Sequence, residues 1–123
     1  MSDTVTVVGW ELYAPTTSGG KIYQIMVVDE LAITIIGWGA LGAQKQYQVR
    51  KYPTAAGARH YAVLQTEAKE NRGYMLNLSP KQGEVDRDTA ERVALSAGRD
   101  RSPATWCGVL GQAFKAGTRL TAA

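Results

Sequence analysis

The hydrophobic positions in the first half of the chain follow the patterns of β-strands. Segments rich in β-branched and aromatic residues, or alternating in polarity, lie at 5–13, 21–28, 31–37 and 45–52. Only Asp29 and Glu30 separate the second and third segments, so these two are predicted to form an antiparallel hairpin. The glycine-rich stretch 37–44 is predicted to be a turn. In the fourth segment, Tyr47 and Val49 share one face, while the opposite face is polar.

The pattern changes to a helical period after Pro53, which ends the fourth segment. Thr54 is a suitable N-cap for a helix at 55–72. Gly73 is a suitable residue just beyond the end of this helix. The buried stripe of the helix is predicted at Ala58, Tyr61, Ala62, Gln65 and Ala68, with Leu64 beside it.

The last third of the chain has a different character. Its polar segment 76–88 is typical of a loop. Two more helices are predicted, at 89–97 and 104–116. Asp88 is placed to cap the first, and Ser102 with Pro103 to begin the second. The second helix carries large apolar residues on one face, at Trp106, Val109, Leu110 and Phe114. Strands followed by helices predict an α+β fold.

The composition is that of one small globular protein with a basic balance. The chain has 123 residues, of which 45% are hydrophobic and 20% charged, as in ordinary folded domains. Fourteen Lys and Arg residues against 11 Asp and Glu give a net charge of +3. This balance favours an anionic partner without requiring one.

The sequence shows no targeting or membrane segment. The first ten residues lack the basic start and apolar centre of a signal peptide. The longest apolar run, 31–36, is far shorter than the ~20 residues of a membrane span. We therefore expect an intracellular protein, cytoplasmic or, in a prokaryote or phage, nucleoid-associated.

The sequence contains no residue set typical of an enzyme or a metal site. Cys107 and His60 are the only residues of their types, which are too few for a disulfide or a Cys/His zinc site. His60 is expected on the surface of its helix, and Cys107 is expected to be a buried, unreactive thiol. We therefore expect no catalytic residue, no bound metal and no cofactor.

Trp38 stands between two glycines, Gly37 and Gly39, at the end of an apolar segment. Glycine lets the backbone turn sharply, or lets another molecule approach it closely. Trp38 is then either a plug at the sheet edge or an exposed aromatic platform. The spacing alone favours the plug, because most tryptophans are largely buried.

Several short motifs occur in a fixed order over about half of the chain. They are Lys21-Ile22-Tyr23, Trp38-Gly39-Ala40-Leu41-Gly42, Gln46, Tyr52-Pro53-Thr54, Ala58 with Tyr61, and the stretch from Lys69 to Gly73-Tyr74. In their order and spacing they resemble the WGR domain, which is named for its Trp-Gly-Arg motif. This family occurs in DNA-damage-activated poly(ADP-ribose) polymerases and in assorted bacterial proteins.

The resemblance implies an antiparallel sheet with one helix packed across it, and DNA as the ligand. In the polymerases, the motif tryptophan packs on the sugar of a DNA 5′ end, and a lysine of the opening strand reaches the terminal phosphate. By position, Trp38 would be the stacking residue and Lys21 the phosphate ligand. Stacking and a lysine point charge both serve DNA without reading its sequence.

Three positions depart from the family's pattern. Ala40 replaces the motif arginine, Gly20 replaces the asparagine before the lysine, and Lys45 stands where a second glycine is usual. In the polymerases the arginine helps to bridge DNA to neighbouring domains, and nothing in this chain resembles the catalytic polymerase domain. Its loss also removes a charge that would help to hold a DNA end.

These observations lead to two hypotheses. The first is a small non-enzymatic protein that binds nucleic acid, DNA in particular, through a WGR-like domain at 1–78. Its contacts with the backbone or the ends are predicted at Trp38, Gly39, Lys21, Lys45, Gln46, Arg50 and Lys51. The second is a protein–protein interaction module of phage or mobile-element origin that acts on a host protein. The helical extension at 79–123 then either packs on the domain or forms a face for a partner or a homodimer.

Overall fold

A computed structural model describes residues 3–120, which form one antiparallel sheet with three α-helices. The strands are β1 (Thr4–Ala14), β2 (Lys21–Val28), β3 (Ile33–Ala40), β4 (Gln46–Lys51), β5 (Met75–Asp86) and β6 (Thr118–Arg119). The helices are α1 (Ala55–Glu70), α2 (Arg87–Leu95) and α3 (Ala104–Lys115). The six strands lie in the order β4-β3-β2-β1-β5-β6. The predicted α+β class with an antiparallel sheet is therefore confirmed.

Helices cover both faces of the sheet. Successive side chains of a strand point to opposite sides, so the strands contribute residues to both faces. One face packs against α1 through Leu12, Tyr23, Ile25, Val27, Ile36, Ala58 and Ala62. The other face packs against α2 and α3 through a larger cluster that includes Val7, Met26, Ile35, Val49, Val93, Leu110 and Phe114. We call these the α1 face and the α3 face.

The predicted hairpin of β2 and β3 is present, but β3 lies later in the chain than predicted. A short 3₁₀ turn, Asp29–Leu31, and Ala32 in the left-handed conformation (φ 51°) connect the two strands. The turn predicted at 37–44 is wrong in its first half, because Gly37, Trp38 and Gly39 all belong to β3. Gly37 instead makes room for a ring: a Cβ there would lie 2.7 Å from the ring of Tyr47.

Helix α1 begins as predicted. The side chain of Thr54 accepts a hydrogen bond from the backbone N–H of Gly57 at 3.1 Å, which satisfies one free donor of the first turn. Ala58 and Ala62 are fully buried, and the hydroxyl of Thr34 donates to the carbonyl of Ala58 at 2.6 Å. The stripe is narrower than predicted, since Leu64 and Ala68 are exposed.

The loop predicted at 76–88 is wrong, because residues 76–86 form most of β5 and residues 87–88 begin α2. The strand pairs with β1 from Met75 opposite Tyr13 to Asp86 opposite Thr4. The register shifts near Pro80, as expected where a proline interrupts the ladder at a bulge. β5 also continues past residue 78, where the predicted WGR-like domain ends. The sheet therefore includes residues from both predicted parts, 1–78 and 79–123.

The caps of α2 and α3 differ from the prediction. Asp86 rather than Asp88 caps α2, with its carboxylate accepting from the N–H of Thr89 at 3.4 Å. Asp88 instead forms an ion pair with Arg92 at 3.0 Å. Ser102 does not cap α3, because its buried hydroxyl bonds with that of Ser96 at 2.9 Å.

Helix α3 packs its apolar stripe on the sheet. The stripe consists of Cys107, Leu110, Gly111 and Phe114, so the buried thiol is as predicted. The prediction that Val109 belongs to this apolar stripe is wrong, since its side chain is 41% exposed. Among residues 3–120, no helix has the length and apolar character needed to cross a lipid bilayer.

Candidate nucleic-acid interface

A cavity of about 400 Å³ opens on the α1 face, where β2 begins and β3 and α1 end. Its lining consists of Thr16, Ser18, Gly20, Lys21, Ile22, Tyr23, Trp38, Gly39, Ala40, Lys69 and Tyr74. We call it the Trp38 cavity. Three predicted site residues, Trp38, Gly39 and Lys21, therefore meet at one place.

The sheet register brings the aromatic residues of this cavity together. Tyr23 on β2 lies directly opposite Trp38 on β3, so both side chains are on the same face. Tyr74 follows Gly73, which ends the helical segment with φ 94°. The N–H of Tyr74 donates to the carbonyl of Lys69 at 3.1 Å, which folds the chain back beside the last turn of α1.

Lys69 lies over two of these aromatic rings. Its Nζ is 4.6 Å from the centroid of the Tyr23 ring and 5.4 Å from that of Tyr74. The two rings meet edge to face with their centroids 6.2 Å apart. Trp38 is only partly buried, so part of its ring remains available to a ligand. The arrangement thus combines aromatic surfaces with a cation.

The Trp38 cavity has an excess of positive charge. Burial lowers the pKa of Lys69, and the charges of Arg72 and Lys21 lower it further. Within residues 3–120, no carboxylate lines the cavity, and Lys21, Lys69 and Arg72 take part in none of the ion pairs found there. An anion would relieve the repulsion among these cations.

Tyr23 contributes a neutral hydroxyl to this region. Burial raises its pKa to about 12, with smaller contributions from Tyr61 and Tyr74. The hydroxyl donates to Oε1 of Gln65 at 3.1 Å. This hydrogen bond holds the Tyr23 ring between the sheet and α1. The hydroxyl stays protonated at neutral pH.

Two of the departures from the WGR pattern lie at this cavity. Ala40, in place of the motif arginine, lines the cavity opposite Lys21 in the ladder. Gly20 packs against the ring of Tyr13, which lies 2.5 Å from where a Cβ would be. No larger residue fits at position 20 without moving that ring. Lys69 supplies a positive charge to this cavity.

The other predicted site residues lie elsewhere. Gln46 pairs with Trp38 in the ladder but does not line its cavity. Arg50 lies on the α1 face, with its guanidinium 4.7 Å from the centroid of the Tyr61 ring. Arg50 and Lys51 line a separate cavity of about 490 Å³ beside β4. Lys45 lies at a third cavity, beneath α3.

Sequence reasoning missed Lys69, Tyr23 and Tyr74 as site residues. All three were visible as parts of the WGR-like motifs, at the opening of β2 and around Gly73. Those motifs indicated where strands and helices begin and end, but not that their side chains converge. The convergence follows from the register of β2 with β3 and from the end of α1 lying beside it.

Among residues 3–120, no three His, Cys, Asp or Glu side chains are grouped so that they could hold a metal ion. His60 is exposed on α1, as predicted. Comparisons of the chain with protein-family models, with curated proteins and with solved structures find no match. The geometry of the Trp38 cavity and the motif resemblance are therefore the basis for assigning a function.

Proposed function

We propose that this protein binds nucleic acid, DNA in particular, through the Trp38 cavity, and that it does so without catalysing a reaction. One observation carries the proposal: aromatic rings share a cavity with ammonium groups that no carboxylate of residues 3–120 neutralises. Aromatic surfaces and fixed positive charges are the two components of sequence-independent binding to nucleic acids. The resemblance to WGR domains supports the same ligand.

Trp38 is suited to stack on a base or a sugar. Its ring is partly exposed and is held in place by the strand pairing opposite Tyr23. Stacking on an aromatic side chain contributes ~1–3 kcal/mol per base and tolerates any sequence. Trp38 therefore provides affinity without discrimination between bases.

Lys21 and Lys69 are suited to hold phosphate. Both ammonium groups lie at the Trp38 cavity, and neither is neutralised by a carboxylate of residues 3–120. Lysine serves phosphate as a point charge, and contacts of this kind position the nucleic acid rather than read it. Gly39 lines the same cavity, but a Cβ at this position would point to the β3–β4 turn, 3.4 Å from the carbonyl oxygen of Gln44.

A second group of cations extends along the sheet edge. Arg50, Lys51 and Arg99 line the cavity beside β4 together with one acid, Asp100, so positive charge is in excess there. They are suited to contact the backbone of a longer nucleic acid that leaves the Trp38 cavity. Such contacts release counterions, so the proposed binding weakens strongly with salt.

The direct test is fluorescence anisotropy with a labelled blunt duplex that carries a 5′ phosphate, at ~50 mM and ~200 mM salt. We expect binding that weakens with salt. Trp38→Ala together with Lys21→Ala should reduce the affinity about tenfold or more, because one stacking contact and one phosphate contact are lost. Arg119→Ala, which removes a charge on β6 outside the cavity, should leave the affinity nearly unchanged.

Trp38 also packs against the buried cluster of the α1 face, so its replacement needs a control for folding. Trp38→Phe keeps an aromatic surface and should retain most of the binding. Thermal unfolding of each variant checks that the fold persists. If the protein does not bind at low salt, or if the double variant binds as the parent does, the proposal is wrong.

A further inference from the structure

A second group of aromatic and cationic side chains lies beside the first half of α1. The guanidinium carbon of Arg50 is 4.7 Å from the centroid of the Tyr61 ring. Tyr52 packs beside Tyr61, with the two ring centroids 5.7 Å apart. We call these three residues the Arg50 cluster. On the same face of the sheet as the Trp38 cavity, it repeats the combination of tyrosine rings and a cation.

The side chain of Arg50 remains open to a ligand. Arg50 is exposed although it contacts Tyr61, and it forms no ion pair with an acid of residues 3–120. Bases stack on guanidinium planes as well as on aromatic rings. The N–H groups of the same side chain can donate to a phosphate. The Arg50 cluster therefore offers a nucleotide the same two kinds of contact as the Trp38 cavity.

The strand ladder sets the distance between Trp38 and the Arg50 cluster. Trp38 pairs with Gln46, and Thr34 pairs with Arg50, so four positions along the strands separate the two sites. At ~3.3 Å per residue, this separation is about 13 Å. Successive bases of a stacked strand are ~3.4 Å apart. About four base steps therefore span the distance.

The positions that connect the two sites carry uncharged side chains. On β4, Gln46 and Gln48 lie between them on the α1 face. On α1, Leu64 and Ala68 follow Tyr61 by three and seven positions, so they share its side of the helix. Leu64 is 46% exposed, and Ala68 is exposed as well. The route thus offers amide groups on the strand and apolar surface on the helix, and no acid at these positions to repel a phosphate.

We propose that the nucleic acid bound by this protein is single-stranded and runs from the Trp38 cavity along β4 to the Arg50 cluster. The inference rests on the proposed function and specifies its ligand. One nucleotide stacks on Trp38, and another, about four steps away, stacks on Arg50. Lys51 and Arg99, which line the cavity beside β4, then lie where the strand leaves the protein.

A duplex fits the two sites less well. Its bases are paired and stacked on one another, so their faces are accessible only at its ends. An end can place one base on one aromatic surface, but it offers no second free face about 13 Å away along the strands. In a single strand the bases can be splayed apart, and each can stack on a protein side chain.

The first test measures how affinity depends on the length and strandedness of the ligand. Fluorescence anisotropy at ~50 mM salt compares 3′-labelled oligothymidylates of about two to ten nucleotides with a blunt duplex of the longest length. We expect the affinity to rise about tenfold between two and six nucleotides, because the second stacking contact is then made. The longest single strand should bind about tenfold more tightly than the duplex.

Three variants locate the path. Arg50→Gln should weaken binding of the longest strand about tenfold and leave that of the shortest nearly unchanged. Leu64→Glu places a negative charge beside the path and should also weaken binding of the longest strand. Val63→Glu is the matched control, because Val63 is 48% exposed and adds the same charge. It lies on the side of α1 that carries Thr66, which accepts a hydrogen bond from Trp10 of β1.

The inference is overturned if the duplex binds as tightly as the single strand, or if Arg50→Gln binds the longest strand as the parent does. It is also overturned if Val63→Glu weakens binding as much as Leu64→Glu. In these cases, binding of the shortest strand that depends on Trp38 and Lys21 would still support the proposed function. If no oligonucleotide binds at low salt, the proposed function itself is wrong.

Discussion

The ammonium group of Lys69 lies 4.6 Å from the centre of the Tyr23 ring, although 46 positions separate the two residues in the chain. A cation over an aromatic face gains about 0.5–1 kcal/mol at an exposed site. This contact holds the lysine at the Trp38 cavity without neutralising its charge. Lys69 thus remains available to a phosphate, which is the basis for the first prediction.

Lys69→Met should weaken DNA binding and reduce its dependence on salt. If Lys69 contacts one phosphate, the slope of log K against log salt should fall in magnitude by about 1. Lys69→Arg keeps the charge and should retain the slope. Arg59→Met is the matched control on the same helix, since Arg59 is paired with Asp29 at 2.9 Å. Anisotropy titrations over a salt series make the measurement, and equal slopes for Lys69→Met and the parent would contradict the contact.

The stability of the protein should fall in alkaline solution. Burial raises the pKa of Cys107 from 9.0 to about 12, and it raises the pKa values of Tyr23 and Tyr47 from 10.0 to about 12. The folded state therefore keeps these protons at pH values where the unfolded chain loses them. Their contribution is complete below about pH 9 and is lost as the pH rises towards 12.

Urea unfolding between pH 7 and pH 11 measures this loss. Of these three groups, Cys107 has the lowest pKa in the unfolded chain, 9.0 against 10.0 for the tyrosines. The stability of Cys107→Ala should therefore begin to fall about one pH unit later than that of the parent. The comparison uses changes relative to each protein's own value at pH 7, because the variant also loses buried volume. The same onset in both proteins would show that Cys107 does not contribute.

The sequence predicted those parts of the fold that depend on neighbouring residues. Tyr47 and Val49 are buried, as the local alternation predicts. The hydroxyl of Thr54 caps α1, which was also predicted from neighbouring residues. β5 was missed because its polar composition resembles a loop, and only its pairing with β1, some 70 positions away, makes it a strand. Strand formation depends strongly on such distant partners.

The site was predicted in part for the same reason. The sequence motifs predicted Trp38 and Lys21 as site residues. That Lys69 lies at the same cavity depends on how α1 crosses the sheet.

Two glycine substitutions near α3 should have opposite effects on stability. A Cβ at Gly83 would overlap the carbonyl of Ala113, where α3 crosses β5. A backbone carbonyl cannot change rotamer as a side chain can, so Gly83→Ala should lower the free energy of unfolding by about 1–3 kcal/mol or more. Gly108→Ala meets no neighbour and should stabilise the helix by up to about 1 kcal/mol. Chemical denaturation measures both changes, and a stable Gly83→Ala variant would show that β5 and α3 are not in contact there.

Substitutions on α3 separate an internal role of this helix from a role as a partner face. Leu110 is fully buried against the sheet, whereas its neighbour Val109 is 41% exposed. Leu110→Ala should therefore reduce the free energy of unfolding by about 2–5 kcal/mol, and Val109→Ala should change it by no more than about 0.5 kcal/mol. Light scattering on the same samples reports the oligomeric state. If the apolar face of α3 held a second copy instead, Leu110→Ala would convert a dimer into a monomer and have little effect on the unfolding of each chain.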